Sequence, residues 1–336
     1  MEVSLKKCQL RLGLINRANA ILTQDEIAQL FIPHLLEARA AAKGKRLVHY
    51  TNAESAYKII SGSQIWLRNA QMMNDFSEIE HGINCLQRAW ASEGGLALQS
   101  MLNRIKDGLR DEVAALFDGH ADTLRFASYI LSLSEHDDDE DKYGRLSMWR
   151  AYGGRSGVAL VLNNTAFVAV TDEMHVFSSP VIYKDVEQFS EWFQEWAANV
   201  SNHEEVLKGL GPDAIQDLMF TVFRSFALCT KHPGFAEERE WRVFYSPRFE
   251  GESEWIEPAV EILGGVPQHL MKLHLRDNLE KNIVGVAPKS LLNRVIVGPC
   301  DYPLQVRAAI GDAMMQAGID IPLELMWMSL IPLRNS

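Results

Sequence analysis

Two carboxylates and a guanidinium fall at every second position of Glu238-Arg239-Glu240-Trp241-Arg242-Val243-Phe244. In a strand the two-residue period puts Glu238, Glu240 and Arg242 on one face and Arg239, Trp241 and Val243 on the other. Alternating charges on a solvent-facing strand would simply pair with their neighbours. Trp241, Val243, Phe244 and Tyr245 make a poor edge strand, however, and carboxylates buried beside an Arg mark a functional-site candidate. His49-Tyr50-Thr51 is the second candidate, because it precedes a helix N-terminus, where backbone N–H groups and the macrodipole favour anions such as a phosphate. A capping role accounts for Thr51, and a core histidine bonded to backbone accounts for His49. Tyr152, between Trp149 and Gly153-Gly154, is the third: its ring could stack on a planar ligand, or the segment could be a helix C-terminus with Trp149 in the core.

Several common chemistries lack their motif. The sequence has no GxGxxG after a strand, no GxxxxGK[ST], no HExxH and no GxSxG, and no two of its ten histidines stand at metal-ligand spacing. A metal-independent site is expected.

The elements that must position these residues are legible from periodicity. Thr23 with Glu26 reads as a capping box opening a helical segment within residues 1–45. Arg46–Tyr50 reads as a strand, Thr51-Asn52-Ala53-Glu54 as a capping box opening a helix through Ile60, and Gln64–Arg68 as the next strand. A helical stretch runs to Phe117. Ser128–Ser134 alternates as a half-buried strand, followed by a short helix and turn at Trp149–Gly154 and a strand at Gly157–Leu162. Val186, Phe189, Phe193, Trp196 and Val200, then Ile215, Leu218, Met219, Val222 and Phe226, recur at helical spacing and read as core helices. Strands at Glu238–Tyr245, Val295–Gly298 and Leu323–Trp327, with a helix at Gln305–Gln316, complete the chain. An α+β fold follows, with a helical segment over residues 1–45 and a single domain over 46–334 carrying helical insertions near 78–120 and 185–229.

The 336 residues carry 47% hydrophobic and 9% aromatic side chains, enough for a sizeable core, and a formal net charge of −11. Much of the acid lies in Glu135–Asp141, and a field of that sign disfavours bulk nucleic-acid binding, although Arg145, Arg150 and Arg155 leave a local basic groove or a solvated loop open. The dispersed Cys8, Cys85, Cys229 and Cys300 fit neither a zinc knuckle nor a disulfide framework. Without a secretory signal or a membrane-length apolar run, a cytoplasmic address and no membrane partner are expected.

Taken in order, His49-Tyr50-Thr51, Asn74-Asp75 with Glu78, Leu133-Ser134, Trp149-x-x-Tyr152 with Gly157-Val158, and Lys231 with Phe235-x-x-Glu238-x-Glu240-Trp241-Arg242 resemble an uncharacterised bacterial family. Val297-Gly298-Pro299 and Ser329–Arg334 resemble its closing motifs, so the likeness spans residues 46–334. That family carries a domain-of-unknown-function label and is grouped with the ADP-ribosyltransferase superfamily. The resemblance implies a split β-sheet core in which His49-Tyr50-Thr51 and Glu238-x-Glu240-x-Arg242 converge on one polar pocket, and NAD as substrate without a metal. It implies His49 on the adenosine ribose, Tyr152 on nicotinamide, Glu240 on the nicotinamide-ribose hydroxyl and Glu238 orienting the acceptor. Tyr50, Thr51, Ser134, Trp149 and Arg242 complete the implied NAD-binding set, and Tyr50, Tyr129 and Tyr152 are the candidates for the superfamily tyrosine. The implied activity is an NAD-dependent ADP-ribosyltransferase, a bacterial toxin or phage-defence effector with a nucleic-acid or protein acceptor and an antitoxin or regulatory partner. The alternatives are an NAD glycohydrolase and a non-catalytic nucleotide-binding module.

Overall fold

The segment Gly157-Val158-Ala159-Leu160-Val161-Leu162 is apolar without interruption, the pattern of a strand covered on both faces, and it lies at the interior of the sheet. In the computed structural model, which describes residues 23–72, 77–168, 174–320 and 322–332, ten strands among the described residues form one sheet. They are β1 (Arg46–Asn52), β2 (Gln64–Asn69), β3 (Tyr129–His136), β4 (Ser156–Asn163), β5 (Phe177–Pro180), β8 (Glu240–Tyr245), β9 (Ile256–Leu263), β10 (Val266–His274), β11 (Leu292–Cys300) and β12 (Met326–Met328). The short β6 (Ile182–Tyr183) and β7 (Thr230–Lys231) pair separately. The main order is β12-β11-β4-β1-β3-β2-β10-β9, with β8 on β3 and β5 on β8.

That order conceals a fork. One edge of β3 pairs with β8 all the way from Tyr129 to Ser134. On the other edge β1 pairs only with Ser134–His136 and β2 only with Tyr129 and Ile130. Leu131, Ser132 and Leu133 therefore face no strand on that side, and β1 and β2 diverge around them. A mixed α+β architecture with a forked sheet is what the structure shows.

The insertions expected near 78–120 and 185–229 form one layer. Helices Ser77–Trp90, Glu93–Ile105 and Leu109–Phe126 pack with Val186–Ser201 and Pro212–Cys229 around Phe189, Phe193, Phe223 and Phe226, and the sheet contributes Ile130 and Phe244 to the same core. The first insertion continues past the expected Phe117 to Phe126. The Thr23–Glu26 capping box opens helix Gln24–Phe31, whose Ile27, Leu30 and Phe31 seal that core. The opposite face of the sheet packs Leu131, Leu133, Trp241 and Val243 against helices Ala53–Gly62 and Pro303–Gln316. Residues 1–22, Asn74-Asp75 and Leu333-Arg334 lie outside the described residues.

Three local expectations need correction. The cap of helix Ala53–Gly62 is Asn52, whose side chain accepts from Ser55 N at 2.8 Å, whereas Thr51 stays in β1 opposite Val158. The strand expected from Glu238 begins at Glu240, because Pro233–Glu238 forms a 3₁₀ turn and Arg239 takes the left-handed region at φ 46°. The final strand is Met326–Met328, with Pro322–Leu325 a 3₁₀ turn. Of the Arg145, Arg150 and Arg155 cluster, Arg145 is tied into the acidic run: it pairs with Glu140 at 3.0 Å, as Arg239 does at 2.5 Å, and Arg46 pairs with Asp138 and Asp141 at 2.6 and 2.8 Å.

Candidate functional site

A cavity of about 380 Å³ opens where β1 and β2 part. Its walls bring together His49, Tyr50 and Thr51 from β1, Ser132 and Ser134 from β3, Tyr152, and Glu238 and Glu240. Residues that lie far apart in sequence meet there because β3 is the common neighbour of β1, β2 and β8. His49 reaches across the fork, its Nδ1 lying 3.1 Å from the Ser132 carbonyl that no strand takes up. A carbonyl only accepts, so Nδ1 donates and the neutral ring keeps Nε2 as its acceptor. Burial, with Arg68 nearby, outweighs that bond and lowers the imidazole below the usual histidine range, so it is neutral at pH 7.

The far wall is an ion cluster. Glu240, 5% exposed, accepts from Ser132 Oγ at 2.6 Å, Arg242 Nε at 2.8 Å, and Arg242 Nη2 and Lys231 Nζ at 3.2 Å each. Glu238 accepts from Tyr152 Oη at 2.9 Å and Lys231 Nζ at 2.6 Å. Glu78, in the first turn of helix Ser77–Trp90, pairs with Lys231 at 2.8 Å and with Arg242. Three carboxylates thus surround two cations, an excess of negative charge at the cavity wall. Burial alone would raise the Glu240 carboxyl, but the Arg242 and Lys231 charges and the Ser132 bond hold it down at about 2. Burial and then the Glu238 charge push the Tyr152 phenol up, so it is a donor at neutral pH.

Two expected site residues do not line the cavity. Arg242 is 1% exposed beneath Glu240, with Nη1 donating to the Leu228 carbonyl at 2.5 Å, so it reaches a ligand only through Glu240. Trp149 is packing: its Nε1 donates to the Tyr143 carbonyl at 2.8 Å. A Cβ at Gly157 or Gly298 would lie 2.9 or 2.7 Å from its ring, so those glycines make room for the indole. Tyr50 lines the cavity but is tied down, its hydroxyl accepting from Arg145 N at 2.8 Å and its ring lying edge-on to Trp149 at 4.8 Å. Ser134 is similarly spent, donating to the Glu238 carbonyl and accepting from Arg145, which fixes the turn that carries Glu238. Tyr129, the third candidate tyrosine, is absent from the cavity wall. Thr51, freed from the capping role, lines it.

Ser132, Arg68 and Gln268 also line the cavity, and none stood out in the sequence as a site residue. Ser132 could have been found as the residue sharing the polar face of β3 with Ser134. Arg68 donates to Gln268 Oε1 at 3.1 Å and to the Met72 carbonyl, and among the described residues it pairs with no carboxylate. Its strand pairs with Ile130 on the opposite edge of β3 from β8, so the cavity has a cation on one side of the fork and the carboxylates on the other. Among the described residues no cluster of His, Cys, Asp and Glu is arranged to hold a metal ion, and no helix is long and apolar enough to cross a membrane.

Residues 148–243 match DUF2971, a protein of unknown function. The matched segment is less than half of the chain, and shorter than the 46–334 span of the resemblance drawn from sequence. The DUF2971 segment holds Tyr152, Lys231, Glu238, Glu240 and Arg242, whereas His49, Arg68, Glu78 and Ser132 reach the cavity from before it. No curated protein and no solved structure matches the chain.

Proposed function

We propose that this protein is an NAD-dependent ADP-ribosyltransferase whose reaction takes place in the forked-sheet cavity. The observation that carries the reading is Glu240, a carboxylate kept ionised in near-complete burial on a cavity wall, across the fork from a neutral histidine. Nicotinamide leaves ribose with the electron pair of the C1′–N bond and departs neutral, so the step needs no general acid. The sugar becomes cationic as it leaves. Fixed negative charge beside that carbon stabilises the transition state by several kcal/mol where water is excluded. Glu240 supplies that charge and accepts from a ribose hydroxyl in exchange for the Ser132 hydroxyl, Glu238 takes the acceptor's proton as the acceptor's lone pair closes on C1′, and Tyr152 presents its ring to nicotinamide. His49 receives the second ribose, and Arg68, which pairs with no carboxylate among the described residues, suits the pyrophosphate.

The cavity volume lies within the range of small-ligand sites. Purified protein incubated with NAD labelled in the adenylate phosphate tests the proposal, with protein, DNA and RNA pools separated afterwards. Release of nicotinamide with label on one macromolecular pool is expected. Nicotinamide with free ADP-ribose as the sole product would make the protein an NAD glycohydrolase using the same residues.

A further inference from the structure

Lys231 sits at the end of β7, immediately after helix Pro212–Cys229, with its side chain 3% exposed yet lining the cavity. An ammonium has three protons to donate. Here they serve three different carboxylates: Glu78 at 2.8 Å, Glu238 at 2.6 Å and Glu240 at 3.2 Å. It is also the one group that hydrogen-bonds both Glu238 and Glu240 among the described residues, since Tyr152 serves only the first and Ser132 and Arg242 only the second. Two carboxylates that lose a shared cation repel each other, which disfavours ionising both.

We propose that Lys231 is the positioning residue for the Glu238–Glu240 pair, its ammonium anchored by Glu78 and bridging the two carboxylates. The proposal deepens the NAD reading and rests on it, because a ribose hydroxyl and an acceptor proton each require an unprotonated carboxylate. It also gives the helical layer a task. Glu78 opens its first insertion and Lys231 closes its second, so packing of the layer brings the clamp together. Burial works against the lysine's charge, but Glu240 and Glu78 more than restore it and raise the ammonium above the usual range. The other ionisable groups around the pair are Arg242, Tyr152, Tyr183, whose hydroxyl accepts from Glu240 N at 2.7 Å, and Cys229, with His49 and Arg68 on the facing walls.

The test is a pH titration by NMR of ¹³C-carboxylate-labelled glutamate, assigned with E238Q and E240Q, in the wild type, Lys231→Met and Lys231→Arg. In K231M the pair is expected to take up a proton at least about one pH unit higher than in the wild type, and K231R to restore the wild-type curve. The acid limb of nicotinamide release should move by the same amount. If K231M does not fold, the K231M/E78Q double variant, which removes one charge of each sign, is read in the same way. An unchanged titration of the pair overturns the proposal whatever the turnover. A shifted titration in a protein that never releases nicotinamide supports the clamp and overturns the NAD reading.

Discussion

Replacing Glu240 with Gln keeps the shape of the side chain and removes the charge that Arg242 and Lys231 hold. The Glu240 carboxyl is held at about 2 against an ordinary 4.5. Its folded value is depressed, so its contribution to stability is fully present above the unfolded value and is lost as pH falls towards 2. A shift of that size corresponds to roughly 3 kcal/mol at pH 7, falling to roughly 1 kcal/mol at pH 3. E240Q should therefore be less stable than the wild type by roughly 3 kcal/mol at neutral pH, with most of the gap closed at pH 3. Urea unfolding followed by tryptophan fluorescence at both pH values measures it. A gap that is the same at both, or below about 1 kcal/mol at pH 7, would refute the claim that Glu240 is a buried, charge-paired carboxylate.

Further outcomes follow from the same structure. Arg242→Met leaves three carboxylates facing one lysine and should cost about 3–5 kcal/mol in the same unfolding assay. Asn52→Ala should cost about 1 kcal/mol through loss of the helix cap, and Thr51→Ala much less, a comparison that thermal melts resolve. Gly298→Ala would place its Cβ 2.7 Å from the Trp149 ring, so reduced stability with a shifted tryptophan emission is expected. Tyr152→Phe removes the phenol that donates to Glu238 but keeps the ring, so KM for NAD should change little while kcat falls; steady-state nicotinamide release separates the two.

Periodicity made most of the elements legible because their apolar faces are buried by the tertiary structure. The 3.6-residue repeat of Phe189, Phe193 and Trp196 and the continuous run Gly157–Leu162 both correspond to core elements. The hairpin of β9 and β10 was missed although Gly264-Gly265, with φ of 58° and 82°, is the turn such a hairpin needs; Pro258 and Pro267 in the flanking strands obscured the alternation. Strand spacing correctly put Glu240 and Arg242 on one face, but it could not reveal that Arg239 turns left-handed and carries Glu238 out of the strand while Lys231 still reaches it. Thr51 looked like a cap because a capping-box pattern tolerates a shift of one residue, and only the Asn52 bond to Ser55 N decides the position. The fork itself had no local signal. It depends on which stretch of β3 each neighbour claims, a long-range property that also brings Ser132 and Arg68 to the cavity.

The most direct test of the NAD reading is nicotinamide release from NAD by the purified wild-type chain and by His49→Ala and Glu240→Gln variants confirmed to be folded. The account predicts release by the wild type and its loss in E240Q, with His49→Ala raising KM. No nicotinamide from the wild type, or undiminished release by folded E240Q, would contradict it.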